Sequence, residues 1–163
     1  RHEFRPIGNL FVFHMNMYSP FNPDLLRQVS NYFYSSWIFR TEFPEIFVEF
    51  KDKVRLSGFT HVPYYQFAGM CIKKCEIYAV TDKLNLPFST QLPDPLDLVK
   101  IWDSDAGTDP EFPIATMDDY SGGLHGDFDY TLSVPVDCYG VLILPKENYG
   151  TNNRLCMHKM LFF

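Results

Sequence analysis

Residues 64–80, Tyr64-Tyr-Gln-Phe-Ala-Gly-Met-Cys-Ile-Lys-Lys-Cys-Glu-Ile-Tyr-Ala-Val80, restrict what this chain can become more than any other stretch. Aromatic and β-branched residues dominate it, it holds no proline, and Pro63 and Thr81-Asp82 bound it, so it reads as one long strand. At ~3.3 Å per residue it would span on the order of 50 Å. Gly69 marks a bend or bulge within it. From Ile72 onward Lys73, Cys75 and Ile77 point one way, while Ile72, Lys74, Glu76 and Tyr78 point the other. Charge on both faces fits an edge strand, or a strand that meets a partner on one side only.

The rest of the chain supplies partners for such a strand. Asn9–Tyr18 alternates, with Phe11, Phe13, Met15 and Met17 on one face. Asn22 can cap a helix with Pro23 at its first position and Asp24 at its positive end, and Leu25, Leu26, Val29 and Phe33 then share one stripe, which predicts a helix over 23–36. Its aromatic tail, including Trp37-Ile-Phe39, suits a strand equally well. Glu45–Phe50 and Lys53–Phe59 read as two strands split by a charged turn at Lys51-Asp52. A proline-rich loop over 82–95 leads to a strand at Leu96–Trp102, and an acidic loop over 103–126 holds a short strand at Ile114–Met117. Phe128–Val134 alternates cleanly, Val141–Leu144 is a short buried strand, and Leu155–Phe163 closes the chain with apolar residues on both faces.

Asn-Gly and Asp-Gly hairpin pairs are absent, and the connections are long and proline-rich. The expectation is an all-β fold: an eight-stranded jelly-roll or Greek-key β-sandwich with one short helix and long loops, formed as a single domain over 1–163 with residues 1–8 as an arm or linker. Aromatics at 17% beside 12 prolines and only 9 glycines point the same way, toward many short strands rather than helices. A formal charge of −6 argues against a free nucleic-acid-binding domain on charge alone. No stretch approaches the ~20 apolar residues of a membrane span, so no membrane partner is expected.

Four constellations could carry chemistry. Asp103, Asp105, Asp109 and Glu111 surround a glycine turn, and calcium takes several oxygen ligands on a loop of this kind. The match to an EF-hand loop is poor, and a solvated acidic loop is the simpler reading, so calcium is the one cofactor considered. His125-Gly-Asp127-Phe-Asp129 could bind a metal or move protons, although polarity at a strand entry explains it as well. A cysteine paired with His14, His61, His125 or His158 has no local nucleophile motif around it, and no catalytic residue is expected. Lys73 and Lys74 on the long strand, with Arg154 and Lys159 on the last, could form a phosphate-facing patch, against the reading of ordinary solvated cations.

The four cysteines, Cys71, Cys75, Cys138 and Cys156, lack zinc-site spacing and read as free, semi-buried thiols. Cys71 and Cys75 are too far apart along a strand to bridge each other. The even count also permits a disulfide joining either of them to Cys138 or Cys156.

Two segments resemble the capsid proteins of small circular single-stranded DNA viruses of the circovirus and geminivirus type. One is Tyr64-Tyr65 leading into the alternating basic and apolar run Cys71-Ile-Lys-Lys-Cys-Glu-Ile-Tyr78. The other is Val141-Leu-Ile-Leu144, the polar loop Glu147–Asn153, and the final strand Arg154–Phe163. The resemblance covers about a third of the chain. It implies a jelly roll without enzymatic activity that self-assembles into an icosahedral shell around single-stranded DNA, located in the virion and, during assembly, in the host nucleus or cytoplasm. Arg1, Arg5, Lys73, Lys74, Arg154 and Lys159 would then face nucleic acid, helped by a basic arm preceding Arg1. The second reading, from a different class, is a secreted β-sandwich or β-barrel ligand-binding module with an aromatic pocket.

Overall fold

The computed structural model describes residues 10–14, 37–39, 41, 43–84, 96–114, 128–150, 154–157 and 159–163. Among these, eight strands run in chain order: β1 (Leu10–His14), β2 (Trp37–Phe39), β3 (Glu45–Val62), β4 (Ile72–Val80), β5 (Leu98–Asp103), β6 (Phe128–Asn148), β7 (Leu155–Met157) and β8 (Lys159–Phe162). A 3-10 turn, Tyr65–Met70, precedes β4. The fold is an all-β jelly-roll sandwich, as the alternation and the long connections imply.

Two long strands build it. β3 and β6 run antiparallel from Ile46 opposite Ile143 to His61 opposite Phe128. Straight, an 18-residue strand such as β3 would reach on the order of 60 Å. Yet Ile46 and Val48 from one end share a core with Phe59 from the other. The pair therefore folds back over itself. Its register slips between Glu49 and Val54 and again between Leu56 and Gly58, where bulges add twist and bend. Glycines let the two backbones approach at these bends. A methyl on Gly140 would sit 2.6 Å from the Val48 carbonyl oxygen, and one on Gly58 would collide with the Tyr130 carbonyl oxygen.

One half of the β3–β6 pair carries β4 and β5 beyond β6, and β1 beside β3, giving the order β1-β3-β6-β4-β5. The other half carries β8 on β3. β2 and β7 form a separate antiparallel ribbon. Among the described strands every ladder is antiparallel except β1 with β3, and an isolated parallel bridge joins Cys71 to Cys156.

The main core lies between the layers and gathers Val48, Ile77, Trp102, Phe112, Leu132, Ile143, Leu155 and Phe162 around Phe59. Phe59 meets Trp102 edge-on at 5.2 Å and Tyr130 at 5.1 Å. The opposite face of the sheet is also buried, under a second cluster of Phe47, Tyr78, Val80, Leu98 and Leu142. Burial on both faces explains why Val141–Leu144 reads as an unbroken apolar run.

Several expectations change. The stretch 64–80 is not one strand. Phe67 leaves helical geometry at φ −122°, ψ 37°, the Cys71 N–H closes onto the Ala68 carbonyl, and only Ile72–Val80 is extended. Lys51-Asp52 is not a turn but an exposed bulge inside β3. Phe128–Val134 and Val141–Leu144 are one strand, and Pro135 is accommodated because Leu132–Pro135 falls in the register gap opposite β3. Leu155–Phe163 is two strands that pair with different partners. Trp37–Phe39 is strand. The helix over 23–36, most of the loop over 82–95, and His125 and Asp127 lie outside the described residues.

Candidate ligand-binding surface

The acidic turn after β5 is organised by one carboxylate. Asp103 accepts Lys100 Nζ at 2.8 Å on Oδ2 and the Ala106 N–H at 2.8 Å on Oδ1. Its own N–H donates to Asp109 Oδ2 at 2.7 Å, and its carbonyl accepts the Thr108 hydroxyl. Gly107 supplies the positive φ of 79° that the turn requires. Ser104 then clamps the turn to β4, its hydroxyl accepting the Cys75 N–H at 2.8 Å. Burial opposes the charge on Asp103, but the Lys100 and Ala106 hydrogen bonds outweigh it and hold its carboxyl below the ordinary value.

Of the four carboxylates in the calcium expectation, three are engaged within the protein. Asp103 and Asp109 spend their oxygens on closing the turn, Asp105 is exposed, and Glu111 lies 3.7 Å from Lys74. Among the described residues no group of three or more His, Cys, Asp or Glu side chains could hold a metal ion.

Lys73 and Lys74 belong to a band of alternating charge across β4, β5 and β6. Lys73 meets Glu147 at 3.4 Å and lies 5.7 Å over the Tyr149 ring. Lys74 meets Glu147 at 3.5 Å as well as Glu111. The Lys73 hydrogen bond holds the Glu147 carboxyl below its usual range. Further along β4, Glu76 accepts the Tyr78 hydroxyl at 3.1 Å and pairs with Lys100 at 3.9 Å and Lys146 at 3.8 Å. Lys100 in turn lies 5.7 Å over the Tyr78 ring.

Four ammonium groups and four carboxylates thus cancel over one strip. A phosphate backbone gains most from unpaired cations, whose binding releases counterions. A neutral polyol gains from interleaved donors and acceptors beside an aromatic ring. Of the other residues expected to face nucleic acid, only Arg154 has a described side chain. Arg154 is exposed, and its carbonyl accepts Asn148 Nδ2. Lys159 stands on β8 opposite Val62. Arg1 and Arg5 lie outside the described residues.

Beneath the strip lies an aromatic floor. The Phe112 N–H donates to the Lys73 carbonyl at 2.9 Å, and the Tyr149 hydroxyl donates to the Phe112 carbonyl. The Phe112 ring, fully buried, stacks on His61 at 4.2 Å and 22°. Both His61 nitrogens and Trp102 Nε1 are buried with no hydrogen-bond partner among the described residues. Burial lowers the His61 pKa to about 3. His61 drew notice in the sequence only as one of several histidines that a cysteine could use; in the fold it faces rings.

No family model matches the chain, and no curated protein matches it. Solved structures do. CpGH89CBM32-5 from Clostridium perfringens, a carbohydrate-binding module solved with GalNAc-β-1,3-galactose, aligns at a TM-score of 0.55 and 13% identity, over 79% of this chain and 75% of that one. The family 32 module of C. perfringens NanJ, solved with galactose, aligns at 0.51 and 11% identity, over 77% and 74%. CBM32-1 from a family 31 glycoside hydrolase of the same organism aligns at 0.55 and 14% identity, over 91% and 90%. These neighbours are carbohydrate-binding modules rather than shell proteins, and they overturn the capsid reading with its icosahedral shell and its single-stranded DNA partner. Jelly rolls serve both viral shells and lectins, so a correctly read fold left that choice open. At these identities the likeness establishes the jelly-roll sandwich itself.

Proposed function

We propose that this chain is a non-catalytic carbohydrate-binding module, the ligand-binding β-sandwich of the second sequence reading. The observation that carries it is the fold shared with three such modules. The charge-balanced strip adds chemical support. Lys73, Glu147 and Tyr149 offer a donor, an acceptor and a ring edge within one neighbourhood, the set that a sugar's hydroxyls and C–H face need. Two of the neighbours were solved with galactose or GalNAc-β-1,3-galactose, so neutral galactose-type sugars are the first ligands to try.

The test is calorimetric titration with galactose, N-acetylgalactosamine and their β-linked disaccharides. A shallow, exposed strip gives weak binding, with a Kd near ~1 mM corresponding to about −4 kcal/mol. Glu147→Gln and Tyr149→Ala should each abolish it. Surface ion pairs contribute only ~0–1 kcal/mol to stability, so Glu147→Gln keeps the fold and isolates the binding effect. Binding unchanged in both variants would move the site elsewhere on the sandwich. No heat with any sugar of the panel would refute the reading.

A further inference from the structure

Cys71 and Cys156 face each other across an isolated parallel bridge that joins the start of β4 to β7. Neighbouring strands lie ~4.8 Å apart, inside the ~4.4–6.8 Å Cα separation that a disulfide spans. The Cys71 Sγ donates to the Phe67 carbonyl at 3.4 Å. Its interaction with the Cys156 thiol lowers the Cys71 pKa and raises that of Cys156. The Tyr64 N–H also points at the Cys71 sulfur, at 3.4 Å. Tyr64, Phe67 and Met70 pack around the pair.

The other two cysteines sit differently. Cys75 lies in the main core with its N–H on the Ser104 hydroxyl, and Cys138 lies opposite Val54 on β6. Burial raises both thiols, Cys138 to about 11. All four are free thiols in this structure.

We propose that Cys71 and Cys156 are a disulfide site, closed by glutathione disulfide or an equivalent disulfide oxidant. The Cys71 thiolate attacks one sulfur of glutathione disulfide and expels one glutathione thiolate. The Cys156 thiol, losing its proton to solvent, then attacks the Cys71 sulfur and expels the second glutathione. Two protein thiols are oxidised, and one glutathione disulfide is reduced to two glutathiones. Both cysteines are 1% exposed in the folded chain, so the bond forms during folding, before the core closes over it. It ties the β2–β7 ribbon, held by three residue pairs, to the large sheet. A stable bond here suits an oxidising compartment. The inference does not depend on the carbohydrate reading, and a chain that bound no sugar would still carry the pair.

The experiment is refolding of the reduced, denatured full chain in a glutathione redox buffer, followed by acid quench, alkylation and non-reducing peptide mapping. The expected result is one linked peptide pair containing Cys71 and Cys156, lighter by two hydrogens, with Cys75 and Cys138 alkylated. Closing a loop of ~85 residues should raise the thermal midpoint by about 10 °C over the reduced chain. Four alkylated cysteines, or a link through Cys75 or Cys138, would overturn the assignment. Because Cys156→Ser could fail to fold, the Cys75→Ala, Cys138→Ala double variant provides a second arm. It must form the same bond, and a reduced product in that variant refutes the proposal as well.

Discussion

His61 makes this protein's stability depend on pH in a way that one substitution can test. The residue is 1% exposed, its ring stacks on Phe112 at 4.2 Å, and neither nitrogen has a hydrogen-bond partner among the described residues. Protonation would place a charge among Phe112 and its aromatic neighbours, and burial lowers its pKa from 6.5 to about 3. In the unfolded chain the imidazole takes up its proton near pH 6.5; in the folded chain it stays neutral down to about pH 3. The unfolded state therefore binds more protons throughout that window. Stability is intact above pH 6.5 and falls as the solution becomes more acid, by about 1.4 kcal/mol per pH unit. Between pH 6.5 and 4.5 the loss from this residue alone reaches about 2 kcal/mol, a large share of the ~5–15 kcal/mol that holds a domain together.

His61→Phe keeps a ring on Phe112 and removes the proton site. At pH 7.5 its sign is a contest between relief of unpaired nitrogens, ~1–3 kcal/mol, and crowding from the larger ring, also ~1–3 kcal/mol. The pH slope is the decisive quantity. Urea denaturation at pH 7.5, 6.5, 5.5 and 4.5 should show the variant gaining on the parent by about 2 kcal/mol across the last three points. The acid losses of Asp103 and Glu147 are common to both chains and cancel. Parallel stability curves for parent and variant would refute the reasoning.

Two further substitutions probe the frame around the site. Gly140→Ala places a methyl 2.6 Å from the Val48 carbonyl where β3 and β6 bend, and should cost about 1–3 kcal/mol in urea denaturation; a neutral effect would mean that the bend is not held as tightly as the two backbones suggest. Asp103→Asn keeps the acceptor for the Ala106 N–H but loses the charge beside Lys100. Lys100 is partly exposed and screened, so the loss at pH 7 should be only ~1 kcal/mol. Because the Asp103 carboxyl is held below its ordinary value, its contribution is present above the unfolded value and is lost as pH falls through the folded one. The gap between parent and variant should narrow in acid, and a gap that widens would assign the wrong partner to Asp103.

Strand alternation in Phe128–Thr131, the apolar run Val141–Leu144 and the shortage of tight-turn signals sufficed to read an all-β sandwich. Those patterns are local, and a side chain's face on a strand follows from its position alone. What they could not reveal was pairing. Lys51-Asp52 looks like a turn to its neighbours, but β6 passes opposite and makes it a bulge within one strand. Lys73 and Lys74 look like free cations until Glu147, brought beside them by the β4–β6 register, neutralises them. An even number of cysteines permits several disulfides, and only the bridge between β4 and β7 selects Cys71 with Cys156. His61 is polar by composition and becomes part of an aromatic stack because β3 folds back over the sheet. Backbone sterics and hydrophobic periodicity were enough to show a chain of strands with apolar faces, though not where each strand starts and stops. The tertiary structure alone decided which charges cancel, which thiols meet and which ring loses its water, because each depends on contacts between residues distant along the chain.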